Sequence, residues 1–79
     1  MKEQEILMRL QDIITPYLEN PCEIGMETDL LKDLSINSVD FVNIVTETED
    51  VFHCTMEYEK IFNLRLVKDF VTYIFELIS

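Results

Sequence analysis

Apolar residues recur every three or four positions in three stretches of the chain, and this spacing predicts three long amphipathic helices. The first covers residues 2–15 and should end or bend at Pro16, because proline disfavours helical geometry in the residue before it. The second begins at Asn37 or Ser38, either of which can cap a helix, and continues to Phe52. The last covers residues 66–78.

The remaining segments predict a short helix and a long loop. Residues 57–63 suit a short helix that buries Ile61, Phe62 or Tyr58. The connection from residue 19 to residue 37 is long for so small a protein, so it should be functional or attached to the core. Its apolar residues have the spacing of one helical turn capped by Thr28 or Asp29. They are Leu30, Leu31 and Leu34.

These elements predict an all-α fold: a small bundle of three long helices and one short helix, with a long first loop and a single domain over residues 1–79. The first and last helices each have an apolar face expected to pack inward. The first contributes Ile6, Leu7, Leu10, Ile13 and Ile14, and the last contributes Val67, Phe70, Val71, Ile74, Leu77 and Ile78.

Composition agrees with a helical protein. The chain is 48% hydrophobic, enough for a core, and its single glycine and two prolines are too few for the many tight turns of an all-β fold. Cys22 and Cys54 lie far apart and outside any C-x-x-C motif. With no signal peptide apparent after Met1 and no run of about 20 apolar residues, we expect reduced, structural thiols in a cytoplasmic protein.

Negative charge is concentrated in the middle of the chain. The net charge is −10, and residues 19–59 hold eleven acids and one base, Lys32. Such a segment repels nucleic acids and anionic membranes, and it attracts basic protein surfaces. A solvated acidic face that serves only solubility is the alternative interpretation.

The segment from Thr28 to Phe52 carries the most informative motif. Asn37-Ser38-Val39-Asp40 opens an acidic helix after a leucine-bearing loop, and here the sequence resembles the acyl carrier protein family, whose signature is Asp-Ser-Leu-Asp. The resemblance covers nearly the whole chain. It implies that a phosphopantetheinyl transferase attaches 4′-phosphopantetheine from coenzyme A to Ser38. The arm then holds acyl groups as thioesters for enzymes of fatty acid, polyketide or related biosynthesis.

The resemblance also implies partner contacts on the acidic helix. The matching positions are Val39, Asp40, Val42, Thr46, Glu49 and Asp50. The expected partners are the transferase and acyl-transferring and chain-elongating enzymes that have basic docking surfaces. We expect the protein to be a monomer that does not bind nucleic acid and does not insert into membranes. For Val39 and Val42, the alternative to partner contact is simple packing in the hydrophobic core.

Several positions depart from the family pattern. Asn37 replaces the usual aspartate, which removes a charge that transferases of the family commonly recognise, and Ser35 replaces a common glycine. Asn43 replaces a common glutamate and Phe41 a small polar residue, so the identity of the partner is open. The resemblance further implies a gap between helices that shelters acyl chains, whereas the sequence alone favours a filled core. The residues that would line such a gap are Ile44, Phe52, Ile61, Phe62, Val67 and Phe70.

Other chemistry is poorly supported by the sequence. His53 is the sole histidine and should lie exposed at a helix end, so it does not by itself indicate a catalytic triad. Leu34 stands where a calcium loop starting at Asp29 needs glycine, and the two cysteines with His53 lack zinc-ligand spacing. We therefore expect a carrier and not an enzyme. An aminoacyl, peptidyl or D-alanyl carrier and an unmodified acidic interaction module are the alternatives.

Overall fold

A computed structural model describes residues 1–20 and 22–79. The long helices are α1 (Glu3–Ile14), α2 (Ser38–Phe52) and α4 (Val67–Ile78), and the short one is α3 (Tyr58–Ile61). Within the described residues the β structure is limited to one isolated bridge, between Asp29 and Leu66. The predicted all-α bundle with a long first loop is confirmed.

The end of α1 shows how proline is accommodated. The α-helix ends at Ile14, and Pro16 lies inside a 3-10 turn, Thr15–Tyr17, which directly follows it. Proline suits the start of such a turn because the missing N–H group would have no partner there. The Thr15 hydroxyl donates to the Gln11 carbonyl oxygen at 2.6 Å and secures the junction.

The short helix α3 is shorter than the predicted residues 57–63. Glu57 precedes it without a side-chain cap, and the N–H group of Phe62 already bonds to the Lys60 and Tyr58 carbonyls. Asn63 and Leu64 then donate to carbonyls three residues earlier, which tightens the chain into turns. Of the three candidate core residues, Ile61 is fully buried, whereas Tyr58 and Phe62 are each 63% exposed.

The core is formed where α1 packs against α2 and α4. All five apolar residues predicted on α1 are buried, and so are four of the six on α4. The exceptions are Leu77, which is 37% exposed, and Ile78, which is half-buried. Both occupy the last turn of α4, beyond the packed segment. Tyr73 is buried instead, and its hydroxyl accepts the Glu57 N–H at 2.9 Å, so its polar end is satisfied.

Backbone hydrogen bonds attach the long loop to the beginning of α4. The first N–H groups of α4, on Val67 and Lys68, donate to the carbonyls of Thr28 and Met26, each at 2.9 Å, and Leu30 donates to the Arg65 carbonyl at 2.8 Å. The first N–H groups of any helix lack partners within it, so the loop satisfies a requirement of α4 while gaining an anchor. Salt bridges from Lys68 to Glu27 at 3.2 Å and from Arg65 to Asp29 at 3.7 Å follow the same path.

The leucines of the loop divide into two groups. Leu30 and Leu34 are buried as predicted, but Leu31 is 57% exposed, so its predicted role in attaching the loop is wrong. The segment makes a single helical turn, as predicted, closed by the Asp33 N–H group donating to the Asp29 carbonyl at 2.9 Å. Leu30 and Leu34 lie four residues apart on its buried side, and Leu31 lies on a neighbouring, exposed side. Of the two candidate caps, Asp29 is the one used: its Oδ1 accepts the N–H groups of Leu31 and Lys32 at 2.8 and 2.9 Å.

The two cysteines are free thiols with different surroundings. Cys54 is half-buried against the core, and burial, followed by the nearby Glu49 carboxylate, raises the pKa of its thiol. A raised pKa makes it a poor nucleophile, as expected of a structural cysteine. Cys22 is exposed, so its predicted structural role is wrong. Across residues 1–20 and 22–79, every helix is too short or too polar to cross a bilayer.

Asp29→Asn should destabilise the protein at neutral pH and much less in acid. The Lys32 N–H group, then the Leu31 N–H group and the Arg65 guanidinium, hold the pKa of Asp29 below its ordinary value against the opposite effect of partial burial. A depressed pKa adds stability above the unfolded value of about 3.9, and this stability is lost as pH falls through the folded value. Urea unfolding at pH 7 and at about pH 3 measures the difference.

Glu76→Gln is the matched control, because it removes one negative charge from an exposed position on α4. It should leave the unfolding free energy at pH 7 unchanged or slightly raised, since the net charge of −10 already opposes compaction. A stability gap between Asp29→Asn and the natural protein that persists undiminished at low pH would contradict the role given to the Asp29 charge.

Candidate functional site

Ser38 is the first residue of α2 and is exposed. The cap of this helix is Asn37, whose Oδ1 accepts the Asp40 N–H at 2.8 Å and whose carbonyl accepts the Phe41 N–H at 2.9 Å. Of the two candidate caps, the structure therefore uses Asn37. This leaves the Ser38 hydroxyl available at the helix start for other chemistry.

The start of α2 suits an attached phosphate. A 15-residue helix has unpartnered N–H groups and a partial positive charge at this end. Both features favour an anion on the Ser38 oxygen. Asn37 adds no negative charge, and Asp40 is the one acidic residue of the first turn. A phosphodiester on Ser38 thus fits its surroundings, and Ser38 with the first turn of α2 would hold it.

The turn before Ser38 contains a residue in the left-handed conformation. Ser35 has φ of 51°, a region that costs a residue with a side chain about 1–2 kcal/mol. Ile36 follows it, is buried, and donates its N–H to the Leu30 carbonyl at 3.3 Å. The left-handed residue therefore reverses the chain between the buried Leu34 and Ile36 and directs it into α2. This is the position where the resemblance anticipated glycine.

An apolar pocket of about 190 Å³ opens beside Ser38. Ser38 and Asn37 lie at its polar side, and the rings of Phe41 and Phe62 line it. Aliphatic side chains complete the wall: Leu30, Leu31, Ile36, Ile61 and Leu64. The pocket is therefore formed jointly by the long loop, α2 and the α3 segment.

The space between the helices holds a filled core, the interpretation that the sequence favours over a gap for acyl chains. Of the six residues named as a possible lining of that gap, Ile61 and Phe62 line the observed pocket. Ile44, Phe52, Val67 and Phe70 are at most 6% exposed and belong to the hydrophobic core, which fills the space between the helices. Thr48 is fully buried among them, and its hydroxyl donates to the Ile44 carbonyl at 2.7 Å.

The outer face of α2 carries a stripe of four exposed residues, Val39, Asn43, Thr46 and Asp50. Their spacing of four, three and four positions places them on one side of the helix. Val39 is 70% exposed, so its side chain is not part of the core. Val42 is half-buried beside the stripe. Asn43 was absent from the predicted contacts, although its position four residues after Val39 is the signal that identifies it.

The acidic residues of α2 are less available than their number suggests. Glu49 Oε2 accepts the Met56 N–H at 2.8 Å, and Glu47 Oε1 accepts the Tyr17 hydroxyl at 3.1 Å. Desolvation and then Glu47 raise the pKa of Tyr17, which keeps this hydroxyl a donor. By helical spacing Asp40 and Glu49 lie at opposite edges of the exposed stripe. Five of the six predicted partner residues, Val39, Val42, Thr46, Glu49 and Asp50, therefore share one side of α2, and Asp40 lies at its edge.

His53 lies where it was predicted, exposed at the end of α2. It adopts the left-handed conformation, with φ of 53°, and its N–H and that of Cys54 both donate to the Glu49 carbonyl. This is a helix-terminating arrangement. Within the part of the chain that the structure describes, no group of three His, Cys, Asp or Glu side chains could hold a metal ion.

Comparison with known proteins agrees with this site. A family model described as a phosphopantetheine attachment site matches residues 9–74. The acyl carrier protein of Beutenbergia cavernae is 37% identical over 73 residues, which cover 91% of this chain and 89% of the relative. The meromycolate extension acyl carrier protein of Mycobacterium leprae is 36% identical over 76 residues, covering 95% of this chain and 66% of that protein.

A solved structure of a candidate acyl carrier protein from Mycobacterium tuberculosis has the same fold, with a TM-score of 0.74. The two sequences are 24% identical, and the match covers 94% of this chain and 95% of the other. Together with the family model and the curated relatives, this confirms the predicted resemblance. The chain belongs to the acyl carrier protein family, whose members bear phosphopantetheine and interact with the transferase that attaches it and with acyl-handling enzymes.

Ser35→Gly should stabilise the protein by about 0.5–1 kcal/mol, because glycine adopts the left-handed conformation without steric cost while losing more chain entropy on folding. Thermal or urea unfolding measures the change. Ser35→Ala is the control, since it removes the hydroxyl and keeps the Cβ that causes the strain. Equal stability of the glycine and alanine variants would contradict the predicted gain, because the strain relieved at residue 35 would then be no larger than the chain entropy that glycine loses.

Proposed function

We propose that residues 1–79 act as a single domain that carries acyl groups as thioesters on a 4′-phosphopantetheine arm attached to the Ser38 oxygen. One observation carries the assignment to Ser38. It is exposed at the start of a 15-residue helix whose cap is supplied by Asn37, so its hydroxyl is accessible and not engaged in capping.

The attachment step needs only a hydroxyl from this chain. The Ser38 oxygen forms a bond to the phosphorus that carries pantetheine in coenzyme A, and the diphosphate bond breaks. Adenosine 3′,5′-bisphosphate leaves, and the serine proton passes to a base of the transferase. The positive end of α2 favours the resulting phosphodiester. In this proposal the chain is the substrate of its partner enzymes and catalyses no step itself.

The pocket favours an acyl cargo over an aminoacyl one. Its side chains are apolar apart from those of Asn37 and Ser38, so it offers no carboxylate to a protonated amine. Burying an unpaired ammonium group is strongly unfavourable, whereas apolar carbon is stabilised by leaving water. The D-alanyl and aminoacyl alternatives therefore receive less support than an acyl carrier.

The proposed partners are a phosphopantetheinyl transferase and acyl-transferring and chain-elongating enzymes with basic docking surfaces. Val39, beside Ser38 and 70% exposed, would be the apolar centre of the contact, with Asn43, Thr46 and Asp50 continuing it along α2. The wider acidic segment would speed encounter with a basic surface. We further propose a cytoplasmic monomer that binds neither nucleic acid nor the membrane interior.

Ser38→Ala should abolish attachment of the arm. The natural protein, incubated with coenzyme A, magnesium and a broad-specificity phosphopantetheinyl transferase, should gain the mass of one phosphopantetheine group. Intact mass spectrometry measures the gain. Ser35→Ala, which removes a hydroxyl three residues away, should be modified like the natural protein.

Each result has a definite meaning. A mass gain that persists in Ser38→Ala would move the attachment to another residue. An unmodified natural protein with every transferase tried would support the acidic interaction module, and Asn37→Asp would then report whether the missing aspartate charge is the cause.

Val39→Asp should lower kcat/KM of the transferase about tenfold, as expected for loss of a central apolar contact worth about 1–2 kcal/mol. Its melting temperature should stay within a few degrees, because Val39 contributes little to the core. Val51→Asp is the matched control: this valine is also exposed on α2, at 39%, but lies on another side of the helix. Equal losses in the two variants would indicate an effect of charge and not of docking at Val39.

A further inference from the structure

Two phenylalanines give the pocket beside Ser38 an aromatic wall. The rings of Phe41 on α2 and Phe62 after α3 have centroids 6.3 Å apart and an interplanar angle of 41°. Tyr58 stacks on the outer side of Phe62, with centroids 6.2 Å apart and planes 24° apart. The three rings therefore form a continuous aromatic cluster along one wall of the pocket.

Phe41 also lies between the pocket and the hydrophobic core. Its ring meets that of Phe70 edge to face, with centroids 6.2 Å apart and an interplanar angle of 87°. Phe70 is 2% exposed and Ile61 is fully buried, so the space behind Phe41 is occupied by packed core. Phe41 therefore separates the pocket beside Ser38 from the buried Phe70.

The size of the pocket sets what it can hold. An apolar cavity of about 150 Å³ accommodates one benzene molecule, so about 190 Å³ has room for one ring or a chain of about six carbons. A longer chain has to leave its end in water or displace Phe41 from Phe70. Displacement would break packing in a core that fills its space closely.

We propose that Phe41 determines cargo specificity by limiting the sheltered acyl group to a compact apolar one, either a single ring or up to about six carbons. This inference rests on the proposed attachment of the arm to Ser38. Longer acyl groups are still carried on the arm, but their additional carbons stay outside the pocket. Phe41 acts here through shape, on the cargo of the carrier and not on any reacting atom.

The test uses a series of acyl forms of the full chain. The transferase attaches the arm from acetyl-, butyryl-, hexanoyl-, octanoyl-, dodecanoyl- and benzoyl-coenzyme A, and intact mass confirms each product. The readout is the melting temperature of the acyl form minus that of the form with the bare arm. A group sheltered only in the folded state raises this difference.

The difference should grow from acetyl to hexanoyl, reach about 5 °C or more, and remain level for octanoyl and dodecanoyl. Benzoyl should match hexanoyl. In Phe41→Ala the difference should keep growing beyond hexanoyl, because the volume of the missing ring is added to the pocket. Phe41→Leu, which removes the ring and refills part of its volume, should show a smaller extension and provides the test if the alanine variant folds poorly.

Phe75→Ala is the matched control, since it removes an exposed aromatic ring from α4, outside the pocket lining. It should keep the plateau of the natural protein. Continued growth through dodecanoyl in the natural protein would overturn the size limit. An unchanged plateau in both Phe41 variants would overturn the role of Phe41, and equal melting temperatures for all acyl forms would show that the pocket shelters nothing.

These failures are separate from failure of the proposed function. A chain that cannot be loaded shows no added mass at any acyl length, and the temperature series is then impossible. A chain that loads fully but lacks the predicted plateau retains Ser38 as the attachment site and loses only the inference about Phe41.

Discussion

The attachment of the long loop to the beginning of α4 is the constraint on which the functional region depends. The carbonyls of Met26 and Thr28 accept the first N–H groups of α4, and Leu30 returns a hydrogen bond to Arg65. The loop and the helix thus each satisfy polar groups that the other would leave unpaired. Because Leu30 is held there, the turns after it deliver Ile36 to the core and Ser38 to the start of α2. Removing the attachment would free the wall of the pocket as well as the loop.

Neighbouring residues have separate structural roles at the start of α2. Ser35 turns the chain at the cost of a left-handed conformation, and Asn37 caps the helix. Ser38 is consequently held at a fixed place without its hydroxyl serving the fold. Asparagine and aspartate cap almost equally well, so the departure from the family signature at Asn37 has little structural effect. Its consequence lies in the charge that an approaching transferase encounters.

The sequence predicted the helices well because their apolar periodicity is strong and because the Asn37 cap of α2 is local. It failed where long-range contacts decide the outcome. Leu31 has the same spacing as its buried neighbours, yet the turns expose it, and Tyr73 is buried because its hydroxyl finds the Glu57 N–H across the fold. The candidate lining residues for the cargo were apolar residues of the core, since a periodic pattern cannot distinguish a filled interior from a gap. Phe41 was noted only as a departure from the family, although its side chain lines the pocket and its ring packs against Phe70 of the core.

The geometry of α2 separates the two functions assigned to it. Val39 and Phe41 are two positions apart, and with 3.6 residues per turn their side chains leave the helix on nearly opposite sides. Val39 belongs to the exposed stripe proposed to meet partner enzymes, whereas Phe41 faces the pocket proposed to shelter the cargo. Ser38 precedes both at the helix start, within reach of either side. Partner recognition and cargo selection can therefore change independently by substitution, while the shared position of Ser38 keeps both functions connected to one arm.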